Sequence, residues 1–98
     1  MIGVGVTAML LASYYGPGLH GNLTASGERF NSQASTAAHK TLPFGTELRV
    51  CYVGCEVVRV NDRGPFVHGR DLDLSEGTAR RIGFIENGVG NVTVTRLN

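Results

Sequence analysis

The chain lacks any real charge imbalance: nine basic and eight acidic residues leave a formal net charge of +1 over 98 residues. Without a basic field to gather a polyanion, neither nucleic acid nor anionic lipid is supported as a partner. Its most apolar stretch, residues 2–12 (IGVGVTAMLLA), is well short of the roughly 20 residues that a membrane-spanning helix needs. Nothing resembles a phosphate-binding loop, a nucleophile elbow or a metalloprotease helix. Repeats, linkers and low-complexity tracts are also missing. Cysteine is scarce, and Cys51 and Cys55 with His20, His39 and His68 scattered around them match no familiar zinc spacing. No metal and no cofactor are expected.

What remains describes one small domain. Apolar residues make up 42% of the chain and charged residues 17%, as in a globular protein. Fourteen glycines imply many tight turns, as a protein of short strands requires. Strand patterns occupy residues 8–15, 36–39, 47–52, 56–61, 71–74 and 91–97. The first is stopped by Gly16, Pro17 and Gly18. One helix is predicted over residues 75–82, with Ser75 as N-cap. Between the first two strands lies a long polar loop, residues 16–33, in which Leu19, Leu23 and Phe30 are the candidates for burial; a loop this long in a compact domain is usually functional or disordered. Residues 1–11 read as an apolar segment, either the start of the first strand or the remnant of a signal peptide that lacks a basic n-region, with the mostly β domain over 12–98.

Cys51 and Cys55 stand at the ends of two strands joined by a three-residue loop, with Gly54 expected in the left-handed conformation. Opposed in this way, their Cα atoms would be about 4.5–5.5 Å apart, within disulfide range. Closing so small a loop stabilises by about 2 kcal/mol in the chain-entropy model. The alternative is a pair of free thiols in a reduced compartment.

Chemistry has few places to sit. Glu28, His39, Asp62, Arg63, Asp71 and Asp73 occupy loops and strand ends, where catalytic groups concentrate. Two carboxyls from distant parts of a chain, converging on a groove, suit glycosidic-bond cleavage: one donates a proton to the leaving oxygen, the other stabilises charge or takes a proton. Each residue also has a structural alternative. Asp62 fits an Asx-turn, Glu28 a solvated surface position, His39 an exposed strand position, and Asp73 a backbone contact at the start of the helix.

Five ordered motifs narrow these options: residues 12–18 (ASYYGPG), 24–30 (TASGERF), 36–45 (TAAHKTLPFG), 58–66 (VRVNDRGPF) and 69–75 (GRDLDLS). With residues 79–83 (ARRIG) and 88–94 (GVGNVTV), they closely resemble the double-psi β-barrel domain of the rare lipoprotein A family over roughly residues 12–97. The resemblance implies a mostly β fold, a six-stranded barrel with one or two short helices and a surface groove for a glycan strand. It also implies endolytic lytic transglycosylase activity between N-acetylmuramic acid and N-acetylglucosamine, outside the cytoplasm, with peptidoglycan as partner. Carried over by motif, the residues associated with activity are Glu28, His39 and Asp62. Asp62 is expected to act as the acid, in preference to Glu28, which would stabilise charge, while His39 would hydrogen-bond the substrate or a neighbouring carboxyl. The Asp62 and Glu28 carboxyls should then lie across one groove within about 10 Å. Tyr14, Tyr15, Ser26, Arg63, Phe66 and Asp73 are expected to contact the sugar.

Tyr14 stands where the family often has tryptophan, and the Cys51–Cys55 hairpin is short for the family. No lipid anchor and no peptidoglycan-targeting repeat are expected, and the protein is expected to be a monomer. Two further readings use the same barrel. One is an expansin-like module that binds polysaccharide through Tyr14, Tyr15 and Phe66 without cleaving it. The other is a secreted module that binds or inhibits another protein.

Overall fold

A computed structural model describes residues 2–16 and 18–98; Met1 in the apolar segment and Pro17 in the first strand stop lie outside the described residues. Six strands, β1 (Thr7–Tyr14), β2 (Thr36–His39), β3 (Glu47–Cys51), β4 (Cys55–Asp62), β5 (Leu72–Leu74) and β6 (Val89–Arg96), and one helix, α1 (Glu76–Arg81), make up the regular structure. The strands close into a barrel in the order β1-β5-β2-β4-β3-β6. Two neighbouring pairs, β1 with β5 and β2 with β4, run parallel, and the other four are antiparallel. This is the double-psi β-barrel that the motifs imply.

Alternation builds the core. In β3, Leu48 and Val50 are fully buried while Glu47 and Arg49 face water, because successive side chains of a strand point to opposite faces. Val58, Val60, Leu72, Leu74, Val92 and Val94 fill the interior by the same rule. Leu42 and Phe84, from the connections, complete it. Ile2 is buried in the same cluster, which ties the residues ahead of β1 to the barrel.

Ser75 caps α1 as its position suggests: its hydroxyl accepts from Thr78 N–H at 3.1 Å. Gly77 lies where a Cβ would come within 2.7 Å of the Gln33 Cα, so the helix packs directly on the 31–35 turn. Glu56 of β4 accepts from Ser35 (2.9 Å), Thr78 (2.7 Å) and the Arg81 guanidinium (2.6 and 3.0 Å). One carboxylate thereby joins barrel, turn and helix.

The disulfide forms between Cys51 and Cys55, which are register partners with Cα atoms 4.0 Å apart. Gly54 departs from expectation, for it is absent from the glycines with positive φ. The amides of Val53 and Gly54 donate to the Ile82 carbonyl (3.0 and 3.1 Å), so docking on the end of α1 sets the loop conformation. In the long loop Phe30 is buried, whereas Leu19 and Leu23 are exposed. Leu23 instead pairs with Arg29 in a short bridge that folds residues 22–30 back on themselves.

Candidate active site

The outer side of the barrel wall carries the site. Ser13 is in register with Asp73, Asp73 with Ala38, and Ala38 with Asp62. Ser13, Asp73, Ala38 and Asp62 therefore form one row across β1, β5, β2 and β4. Of the two adjacent rows, Ala12–Leu72–His39 and Tyr14–Leu74–Ala37–Val60, Ala12, Leu72, Leu74, Ala37 and Val60 belong to the core. Alternation along β4 would turn Asp62 inward, two residues after Val60. A register shift between Ala37 and Ala38 prevents this, since a bulge re-aims the side chains beyond it. By strand spacing, the Cα atoms of Asp62 and Asp73 are two strands, or about 10 Å, apart.

Over this row lies an open groove of about 340 Å³, lined by Ser13, Leu19, Asp62, Arg63, Phe66, Arg70 and Asp73 among others. The two carboxyls differ. Asp62 accepts from Tyr15 O–H at 2.6 Å on one oxygen, and from the amides of Ala25 (2.8 Å) and Arg63 (2.9 Å) on the other. Among the described residues Asp73 accepts only from the Ser13 hydroxyl, at 3.1 Å. Burial pushes the Asp73 carboxyl above the usual aspartate range, with the charge of Asp62 adding, while Ser13 and Arg70 pull it down.

Tyr15 is 9% exposed and stacks on Phe30, with ring centroids 4.4 Å apart. With Ala38 the two rings form a second small core outside the barrel. Burial and the adjacent Asp62 carboxylate push the Tyr15 phenol far up, so it stays a hydrogen-bond donor. Tyr15 lines the groove, and its hydroxyl donates to Asp62. Tyr14, half-buried, packs against the core cluster, donates its hydroxyl to the Ile85 carbonyl at 3.0 Å and also lines the groove. Phe66, 85% exposed, is free to stack on a sugar face. The Arg63 guanidinium lies 4.0 Å over the Phe44 ring. Ser26 is exposed beside Thr24, at 2.9 Å between hydroxyls, and outside the groove lining.

Glu28 shares the outer wall but not the groove lining. The Arg59 guanidinium grips its carboxylate with contacts of 2.6 and 3.1 Å and holds it below the usual glutamate range, with the Asn61 amide adding. Arg59 lies three residues from Asp62 along β4, about 10 Å by strand rise. His39 is on the other side of the wall. Its register partner is the core residue Leu72, and cross-strand partners share a face. It lines a second cavity at the barrel mouth with Ile2, Leu10, Lys40, Thr41 and Asp71. The structure thus brings Tyr14, Tyr15, Asp62, Asp73, Arg63 and Phe66 to one groove, sets Glu28 beside it, and separates His39 from it. Arg70 and Leu19 line the groove and were not picked out from the sequence. Arg70 stands three residues before Asp73 in the GRDLDLS motif, a proximity that could have suggested it.

Residues 7–94 match the family described as Lytic transglycolase. A Synechocystis protein named probable endolytic peptidoglycan transglycosylase RlpA is 59% identical over 87 residues, covering 86% of this chain and 27% of that protein. A Campylobacter jejuni protein named endolytic peptidoglycan transglycosylase RlpA is 50% identical over 95 residues, covering 94% and 34%. The chain therefore spans about a quarter to a third of the length of these relatives. Among solved structures, a Streptomyces papain inhibitor superposes with a TM-score of 0.78 at 20% identity, covering 100% of both chains. The apo expansin of Clavibacter michiganensis gives 0.75 at 23% identity, covering 95% of this chain and 51% of that one. At these identities the structural likeness is one of fold.

Proposed function

Since the chain belongs to the lytic transglycolase family, we propose that it cleaves peptidoglycan glycan strands between N-acetylmuramic acid and N-acetylglucosamine, leaving 1,6-anhydromuramyl ends. The observation that carries this reading is the pair of unlike carboxyls, Asp62 and Asp73, in one open groove with an exposed aromatic at its rim.

Asp73, pushed toward its protonated form by burial, is the proton donor to the glycosidic oxygen. The bond from that oxygen to the muramyl C1 breaks, and positive charge develops at C1 and the ring oxygen. Asp62, fixed by three donors, stabilises that charge. The muramyl C6 hydroxyl attacks C1, and its proton goes to the Asp73 carboxylate, which regains the protonated form. Water takes no part, so one carboxyl serves as acid and then as base. This assignment moves the acid from Asp62, the choice suggested by motif alone, to Asp73. Glu28, paired with Arg59, supports the loop whose Ala25 amide reaches Asp62. Phe66 and Arg70 hold the sugar chain. A peptidoglycan substrate and the Cys51–Cys55 disulfide both favour a place outside the cytoplasm, where the domain acts as a monomer on the glycan.

The test is incubation with purified peptidoglycan, intact and stripped of stem peptides, followed by mass spectrometry of the soluble products. Anhydromuramyl ends are expected. Reducing muramyl ends would mean hydrolysis instead. Sedimentation with the glycan and no soluble product would favour a binding module of the expansin kind.

A further inference from the structure

His39 reaches the groove through the wall rather than across open space. Its Nδ1 accepts from two backbone amides, Thr41 N–H and Leu42 N–H, both at 3.1 Å. A ring nitrogen can accept only with its lone pair free, so the ring proton belongs on Nε2. The turn held in this way continues through Leu42, fully buried in the core, to Pro43 and Phe44. Thr46 O–H closes it on the Pro43 carbonyl at 2.6 Å, and Gly45 N–H ties it to the Val60 carbonyl at 2.9 Å. The Phe44 ring then carries the Arg63 guanidinium at 4.0 Å. Arg63 Nη1 also donates back to the His39 carbonyl at 3.3 Å, and Arg63 N–H donates to Asp62 Oδ1 at 2.9 Å. The circuit runs from imidazole to turn, aromatic ring and guanidinium, and ends on the carboxylate.

We propose that His39 is a positioning residue, which fixes the 41–44 turn through the Nδ1 lone pair and, through Phe44 and Arg63, sets the position of Asp62. The charged groups facing the ring are Arg63, Lys40 and Asp71. Burial first, then Arg63 and Lys40, hold the imidazole below its ordinary value against the pull of Asp71, which keeps the lone pair available. The inference deepens the transglycosylase reading and rests on it for the activity readout.

Two amides separate this role from proton transfer. An asparagine at position 39 places its carbonyl oxygen near the site of Nδ1, whereas a glutamine reaches toward the site of Nε2. His39→Asn is expected to keep hydrogen-exchange protection at Thr41 and Leu42 and to retain most of the wild-type kcat. His39→Gln is expected to lose that protection and to lower kcat about 10²-fold, the cost of a misplaced group, with KM little changed. Equal activity of the two variants, or an inactive but folded His39→Asn, overturns the proposal. Nitrogen NMR of the wild-type protein decides the same point without substrate: a proton on Nε2 is expected, and a proton on Nδ1 overturns it. Should the wild-type protein leave peptidoglycan uncut, the transglycosylase reading fails, and the NMR and exchange results still decide what Nδ1 does.

Discussion

The two sides of one strand pair make different places. On the outer side of β2 and β5, Asp73 lines a groove open to a polymer, and Ala38 packs with Tyr15 and Phe30. On the inner side, one residue along, Leu72 is packed in the core and its partner His39 lines the second cavity. Both sides hold an aspartate, and burial pushes Asp73 toward its protonated form. Asp71, at the mouth, accepts from the Leu11 amide at 3.0 Å. The difference teaches that a motif can collect residues for separate tasks. GRDLDLS supplies a carboxyl to each side, and TAAH supplies the packed alanine outside and the turn-holding histidine inside. In the proposed mechanism chemistry belongs to the outer row, and the inner row keeps it in place.

That division can be broken most sharply by paired substitutions. Asp73→Asn is expected to lower kcat by about 10²–10⁴-fold, the usual contribution of a positioned acid, with the fold intact by circular dichroism. Asp71→Asn, which can still accept from Leu11, is expected to stay near the wild-type rate. Equal losses would erase the distinction between the two sides. Tyr15→Phe removes a donor to a charged group, a loss of about 1.5–3 kcal/mol that corresponds to about 10–150-fold in kcat if it is felt only in the transition state. Steady-state kinetics on solubilised glycan strands would measure it.

Scaffold and site separate in a further experiment. Gly77→Ala forces a methyl against the Gln33 backbone and is expected to destabilise by about 1–3 kcal/mol, the range for overpacking, with kcat per folded molecule unchanged. Urea denaturation and active-site kinetics together would read both quantities. The smallest expected effect is a pH dependence from His39. Its folded value lies below that of a free imidazole because of burial. Above about pH 6.5 the ring is neutral in both states and its contribution to stability is fully present. As the pH falls below that value the unfolded chain takes up the proton first, so stability is lost as pH falls through the folded value. Denaturation midpoints measured between pH 5 and 7 should show this slope and should lose it in His39→Asn.

Much of this architecture is legible in local sequence. Leu48 and Val50 alternate with Glu47 and Arg49, Ser75 precedes a short helical run, and Cys51 and Cys55 flank a loop; each appears in the structure as strand, cap and disulfide. What escapes is what long-range pairing decides. The meeting of Asp62 and Asp73 needs the parallel pairing of β2 with β4, the antiparallel pairing of β2 with β5, and a bulge between them, none of which spacing reveals. The stacking of Tyr15 on Phe30, fifteen positions on, likewise comes from the fold. Gly54 looks like a left-handed turn residue until the Ile82 carbonyl takes the loop amides. Glu28 carries the motif, but Arg59 claims its carboxylate.

The most direct test of the outer row is a side-by-side digestion of peptide-free glycan strands with the wild-type protein, Asp73→Asn and Asp62→Asn, counting anhydromuramyl ends by mass spectrometry. The account predicts such ends from the wild-type protein and almost none from either variant. A folded Asp73→Asn protein that releases them at the wild-type rate would contradict it.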